Sequence, residues 1–586
     1  MNFSTTVTGE VGRKPAPIAA RPSPLAPLAA ATFILLAVVH VILNRLAWSG
    51  VPLQTDSGIW AYMGWRMLDG AVLYRDLWDN KPPGLFLVFE FVQWLFGSGR
   101  DGSLLWMDAV VTVIVGAISY ATARRFASPV AAAGAMAMLS VVLCHRVLAD
   151  WGDNAEKFTA VFEIAGCLVA VRILQRGHGL RWWLFVGICG GAAATFKQTG
   201  VVMLIAATLT HAVQIAWRRQ SLRHGAAAVG IMLFGAFVVW APLVAWMHQA
   251  GSLDGFWRQA VMYDFNRASA LQGEQGRLLA AEHWASVIRQ LLLGFILFAP
   301  AFLGAVQVAL RFLPRGNPNE RESVSATHHP SQGPALMLVV LYAALAGAIF
   351  VAAPSGYGHY LLQAAPPAAV LAAWSLSGAG AIGPKRRFPL AACCLLALGL
   401  RPLGDHLRFT LDPGCAAREA YRAIARRTAG LVEAAREHSR PEQEVMIWPT
   451  DHAVSYYAQR VTPLEVGHSI DIFRGRIQLL DPPLPELLAH VRQNPPALIV
   501  DWSDLAWMRE PGTDEPDALF PAVREAWSLV DPPDDVHAIA DARRLAPFKR
   551  WVRENYGGQV RIGDVCTLYF HGRSWREWED YLRPGE

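Results

Sequence analysis

Asp56, in the run Thr55-Asp56-Ser57, stands upstream of Lys81-Pro82-Pro83, and two more carboxylates follow in Asp153-Asn154-Ala155-Glu156. A carboxylate can take a proton from an attacking hydroxyl or amine, and an ammonium or guanidinium can steady charge on a departing anion. Structural readings stand beside these. Asp56 is also suited to capping a helix, and Lys81 to snorkelling at a membrane interface. Asp153 and Glu156 also read as solvated loop charges or as i,i+4 partners near Lys157. Clustered carboxylates could also hold Mg or Mn.

The elements that position these groups are membrane helices. Hydrophobic residues make up 53% of the 586 and charged residues 17%, against about 25% charged in soluble domains. The deficit is local, with long apolar stretches alternating with charged joints. This pattern excludes a soluble enzyme, a disordered chain and a disulfide scaffold. The net charge of +5 points to no nucleic-acid partner. Of the seven cysteines, Cys415 and Cys566 fall in the polar C-terminal part and could pair in an oxidising compartment. The absence of CxxC and HExxH motifs suggests no zinc site.

A polar tail (1–27) precedes a first apolar run, 28–48, and further spans are expected near 104–123, 129–148, 156–174, 182–197, 199–217, 226–247, 286–310, 334–353, 361–379 and 388–404. The apolar stretch 84–97 is too short to cross and is laid along the interface. Alternate joints then hold Arg124/Arg125, Arg172/Arg176/Arg181, Arg218/Arg219/Arg223, Arg311/Arg315/Arg321 and Lys385/Arg386/Arg387 on the side of the N-terminus. By the positive-inside rule that side is the cytoplasm. The expected fold class is therefore mainly α: about eleven transmembrane helices (28–404) with an outer loop 49–103 carrying interfacial helices. An extracytoplasmic soluble domain of α/β type follows at 405–586, with β-rich runs at 444–448, 497–500 and 564–570. Within the outer loop, Thr55, Asp56 and Ser57 open a short helix. Ile59, Trp60, Met63 and Met67 share one face of it, which suits a helix lying on the bilayer. Gly70 ends it, and Lys81-Pro82-Pro83 starts the next helix.

An Asp just after the first span, followed by G-x-x-x-Y-R-D-x-W-D-x-K-P-P-G over Gly70–Gly84, resembles the first loop of the GT-C superfamily of integral-membrane glycosyltransferases. More narrowly it resembles the protein O-mannosyltransferase and aminoarabinose-transferase branch. The resemblance runs, weakening, to about residue 380. Asp153 and Glu156 stand where that family has a second acidic site, and Thr195-Phe196-Lys197 resembles its T-K pair. Phe265-Asn266-Arg267 resembles its Asn-Arg pair. Gly358-His359-Tyr360 through Pro367 resembles an R-Y-x-L-P-x-x-P pattern, with His359 replacing Arg and Gln363 departing from the pattern.

The resemblance implies transfer of a sugar from a polyprenyl-phosphate donor to a lipid, glycan or protein acceptor on the extracytoplasmic side of the cell (inner or plasma) membrane. Phosphate is a good leaving group, so no general acid is needed, unlike glycoside hydrolysis. Asp56 is then the general base of an inverting transfer. Asp153 and Glu156 form the second acidic site, and Lys81, Arg267, Lys197, His359 and Tyr360 contact the donor phosphate. Structural readings remain for these too: Lys197 and Arg267 as surface charges, His359 as an interfacial histidine, Tyr360 and Trp78 as belt aromatics. No obligatory metal or other cofactor is expected. The alternative functions are a lipid or sugar transporter or flippase, and a non-catalytic envelope assembly protein. Visible repeats and charges at mid-span would favour the transporter.

Overall fold

The computed structural model describes residues 25–53, 55–149, 151–177, 179–263, 278–312, 332–353, 357–377, 401–448, 451–463, 484–502, 551–552, 554–562 and 566–572. The helices run α1 (Leu25–Trp48), α2 (Thr55–Leu68), α3 (Gly84–Phe96), α4 (Gly102–Ala123), α5 (Pro129–Leu143), α6 (Ala155–Arg176), α7 (Trp183–Ala194), α8 (Val202–Ala216) and α9 (Leu222–Gln249). They continue with α10 (Leu278–Leu293), α11 (Phe295–Phe312), α12 (Gln332–Ala352), α13 (Ala365–Leu376), α14 (Ala416–Glu437), α15 (His452–Ala458) and α16 (Leu484–Gln493). Local chemistry sets several ends. Ser128 caps α5 through the Ala131 N–H with Pro129 in the first turn, and left-handed Gly177 closes α6.

Among the described residues, six helices are long and apolar enough to cross a membrane: α1, α4, α6, α8 with the 3₁₀ turn before it, α9 and α12. The pair α10 and α11, bent by 92°, makes a seventh if counted as one span. The runs expected to span at 129–148, 182–197 and 361–379 are shorter helices: α5, the segment Leu180–Ala194 that includes α7, and α13. A helix of 15 residues reaches about 22 Å, short of a hydrocarbon core of about 30 Å. The expected 388–404 span lies mostly outside the described residues; 401–411 is helical. The core of the bundle packs α5, α6, α8, α12 and α13 through Leu139, Ile164, Met203, Leu338 and Trp374.

The stretch expected not to cross does not cross the bundle. The N-terminus of α3 is tied to the α7–α8 loop by the Gly84 N–H on the Thr195 carbonyl (2.7 Å). Just past its other end, Ser98 bonds Gln459 (3.2 Å), and the neighbouring Tyr457 hydroxyl accepts the Leu53 N–H from the end of α1. Both termini of α3 therefore sit at one end of the bundle, and its Phe91, Trp94, Leu95 and Phe96 face outward.

The expectation for α2 needs correction. It does not present an apolar face to a bilayer: Ile59, Trp60, Met63 and Met67 are buried, and so are Ala61, Tyr62 and Trp65. A helix apolar on most sides is driven inside, and α2 lies between α3 and α15. A Cβ on Gly58 would come 3.0 Å from the Ala453 nitrogen, so the absence of a side chain sets this close approach. The Tyr62 hydroxyl accepts the Thr462 N–H (3.1 Å).

The C-terminal residues form a four-stranded sheet of order β1-β2-β4-β3, made of β1 (Val445–Trp448), β2 (Leu498–Asp501), β3 (Tyr556–Ile562) and β4 (Cys566–His571). β1 and β2 are parallel, with Val445 opposite Leu498, while β2–β4 and β3–β4 are antiparallel. Leu431 and Ala435 of α14 cover one face. Cys415 and Cys566 are both buried and unpaired.

Candidate functional site

The end of the bundle that holds α2 and α3 also holds the starts of α6, α8 and α13 and the ends of α7 and α12, which is where the sequence places its chemistry. The first loop folds back on itself. Asp79 Oδ1 accepts the Lys81 N–H (2.8 Å), the Tyr74 hydroxyl donates to the Lys81 carbonyl (2.6 Å), and Lys81 Nζ reaches Asn80 Oδ1 (3.0 Å). Gln198 then pins this loop to the α7–α8 joint, its amide donating to the Asn80 carbonyl at 2.7 Å. Lys81 and Lys197 are thereby carried on two segments that are tied together.

Glu156, in the first turn of α6, is buried against Lys197, with the ammonium on Oε1. His359 Nε2 stands 3.9 Å from the same oxygen. Lys197 Nζ also lies 3.7 Å from the centre of the Tyr360 ring, a cation–π contact. His359 stacks on Tyr357 and meets Tyr360 edge-on at 4.8 Å. Burial lowers the His359 pKa below its ordinary value. The negative charges of Glu156 and Asp56 pull it back up, and the positive charges of Lys197 and Lys81 push it further down. Four charged residues singled out in the sequence, Asp56, Lys81, Glu156 and Lys197, thus all act on a fifth, His359.

Asp56 sits half-buried in the first turn of α2, and the adjacent Ser57 hydroxyl donates to the Gly152 carbonyl (3.2 Å). The Asp56 carboxylate makes no hydrogen bond or ion pair to another described residue; its charge is felt by Asp79 and His359. Asp79 was not among the site residues read from the sequence, although it lies in the loop motif. Burial, assisted by Asp56, pushes its pKa up to about 6.

Asp153 and Glu156, paired in the sequence reading, go to different places. Asp153 has a left-handed backbone (φ 55°), follows Gly152 at φ 124°, and turns into a second, sealed cluster. There its N–H donates to Asp108 Oδ1 (2.8 Å), and Asp108 is held by Arg45 Nη1 (2.8 Å) and Lys157 Nζ (2.7 Å). A Cβ at Gly152 would collide with the Arg45 guanidinium, so the turn requires glycine. Burial and the charge of Asp108 push the Asp153 pKa well up. Arg45, Asp108 and Glu163 were missed in the sequence; the signal was a charge inside an apolar run. Arg267 lies outside the described residues. Among the described residues no group of three or more His, Cys, Asp or Glu could hold a metal ion.

Residues 80–246 match the family described as dolichyl-phosphate-mannose-protein mannosyltransferase. Among solved structures, the chain is similar to apo ArnT from Cupriavidus metallidurans, at 16% identity over 81% of this chain and 93% of that one, with a TM-score of 0.50. It is also similar to the Archaeoglobus fulgidus oligosaccharyltransferase tethered to an acceptor peptide, at 14% identity over 95% and 75% of the two chains, with a TM-score of 0.51. No curated protein matches it in sequence. The matched segment, which begins inside the Lys81 loop, resembles that mannosyltransferase family, and the solved structures share the fold.

Proposed function

We propose that this chain is a multi-pass membrane glycosyltransferase that moves a sugar from a polyprenyl-phosphate carrier to a lipid, glycan or protein acceptor. The observation that carries the reading is the convergence of Asp56, Lys81, Glu156, Lys197 and His359 at one end of an apolar bundle. A lipid-linked phosphate needs cations at that depth, and its attacking partner needs a base. The matched family, named for dolichyl-phosphate-mannose, supports the donor class, and the oligosaccharyltransferase tethered to an acceptor peptide supports a macromolecular acceptor.

In this reading Asp56 takes the proton of the acceptor hydroxyl or amine as the new bond forms at the anomeric carbon. The anomeric C–O bond breaks on the opposite face, so the transfer inverts. The phosphate leaves with the electron pair as an anion, met by Lys81, Lys197 and Arg267, with Tyr360 and His359 beside it. Glu156 holds Lys197 in place as the second acidic site. Asp153, turned into the Asp108 cluster, supports the loop before α6. The site faces the extracytoplasmic side of the cell membrane, the N-terminus is cytoplasmic, and 405–586 is an extracytoplasmic domain.

Incubating the purified chain with labelled polyprenyl-phosphate sugars tests this, with loss of sugar from one of them expected. Turnover of none would overturn it. A reporter inserted at Gln220 should fall in the cytoplasm and one at Gly430 outside it; swapped compartments would reverse the sidedness, and a shared compartment would break the topology.

A further inference from the structure

Glu163 is fully buried inside α6, seven residues after Glu156. Seven residues are about two helical turns, so both carboxylates lie on one side of the helix. A carboxyl group inside a membrane span is costly to keep and must be met by partners. Glu163 Oε2 accepts the Tyr342 hydroxyl of α12 (3.0 Å), and Oε1 accepts the Gln363 amide (3.0 Å). That amide also donates to the Thr199 carbonyl (3.0 Å), while its oxygen accepts the Thr199 hydroxyl (2.9 Å).

These partners sit at telling places. Gln363 ends the 3₁₀ turn Gly358–Gln363, which carries His359 and Tyr360. Thr199 lies two residues after Lys197, in the turn Gln198–Val201. The two segments meet twice: below, through Gln363 and Thr199 on Glu163; above, through Lys197 on the Tyr360 ring and on Glu156. A cation–π contact at 3.7 Å and an ion pair shared with His359 tolerate little sliding of one segment past the other. We propose that Glu163 and Gln363 form a buried positioning latch that fixes Lys197, His359 and Tyr360 relative to one another for binding an anionic lipid phosphate. The latch rests on the donor-site reading above.

The test measures the Kd of the purified full chain for labelled polyprenyl phosphate without sugar, alongside the thermal midpoint. Gln363→Leu cuts the latch and should raise Kd about tenfold, the upper end of the scale of a lost buried hydrogen bond. The exchange Glu163→Gln/Gln363→Glu restores a carboxyl–amide pair in reverse and should recover most of that loss. A merely structural role predicts a lower midpoint with unchanged Kd in the folded protein and no recovery on exchange. If Gln363→Leu does not fold, Thr199→Val keeps the shape, removes the hydroxyl, and should raise Kd by at least about threefold. Wild-type protein that does not bind the lipid phosphate would overturn the donor reading and the latch with it. Wild-type binding with unchanged Kd in the folded variants would overturn the latch alone.

Discussion

Glu156 and Lys157 are neighbours in sequence and belong to two different charge clusters. Lys157 turns into a sealed one, where Arg45, Asp108, Asp153 and Lys157 are all at most 1% exposed. Its bonds are internal and pull α1, α4 and the α5–α6 loop onto α6. Glu156 turns into a partly open one: its pair with Lys197 is itself buried, but the His359 side chain beside it is 22% exposed and Lys81 and Asp56 are half-buried. Similar chemistry serves two ends: charges closed off from solvent hold helices together, and charges on an accessible rim can meet a substrate. Substitutions in the two clusters should therefore fail in different ways.

The largest expected effect is at Asp56. Asn keeps the size and caps helices about as well as Asp, so Asp56→Asn should fold normally and bind donor. Loss of a placed general base costs about 100- to 10,000-fold in rate, readable as turnover of labelled donor at saturation. Turnover within a few-fold of wild type would return Asp56 to a capping role.

The sealed cluster should break the other way. Asp108→Ala leaves Arg45 and Lys157 buried without their shared carboxylate. Removing one partner of a buried pair costs about 3–5 kcal/mol, because the stranded charge has nowhere to go. The thermal midpoint should fall sharply, while the protein that stays folded keeps its donor Kd. A selective loss of donor binding at full stability would move Asp108 into the site and erase the contrast.

Much of the open cluster was legible because its residues sit in short motifs: Lys81 before two prolines, Lys197 in Thr195-Phe196-Lys197, and His359-Tyr360 ahead of Pro366-Pro367. The sealed cluster was not. Arg45 and Asp108 are each one charge in a long apolar run, and their partners stand 63 and 49 residues apart. The buried surroundings of α2 were hidden for a related reason. Its stripe of Ile59, Trp60, Met63 and Met67 reads as one apolar face, and the C-terminal helix that covers the rest of it begins almost 400 residues later. Spans were legible as composition. The short α5, α7 and α13 were read as longer spans because apolar residues continue past the turns that end them.

Two lysines sharpen the comparison at smaller scale. Lys81→Ala, on the half-buried rim, should raise donor Kd about tenfold and cost about 1 kcal/mol of stability, the upper end for a solvent-accessible charge. Lys157→Ala, in the sealed cluster, should reverse that ratio. Donor titration and thermal unfolding of both variants decide the matter, and equal ratios would mean the two clusters do not differ in role.

The smallest effect, and the one most specific to the open cluster, is a pH dependence at Asp79. Burial pushes its pKa up to about 6, and the Asp56 charge adds to that; the Lys81 ammonium and N–H oppose it. The folded chain thus holds this proton more tightly than the unfolded chain, whose value is near 3.8. The stability it contributes is full below the unfolded value and is lost as pH rises through about 6. Above that pH an ionised Asp79 adds a second negative charge to that of Asp56, and both would repel the proposed anionic donor. Donor affinity should therefore weaken about threefold as pH rises from about 5 to 7, the scale of a partly screened charge. Asp79→Asn still accepts the Lys81 N–H and cannot ionise, so its donor Kd should be flat over that range and its midpoint at pH 7 no lower than wild type. Donor titrations at half-unit pH steps read both curves. A wild-type Kd that is flat between pH 5 and 7, or an inflection near 6 that survives in Asp79→Asn, would detach Asp79 from the site and leave its burial as packing of the first loop.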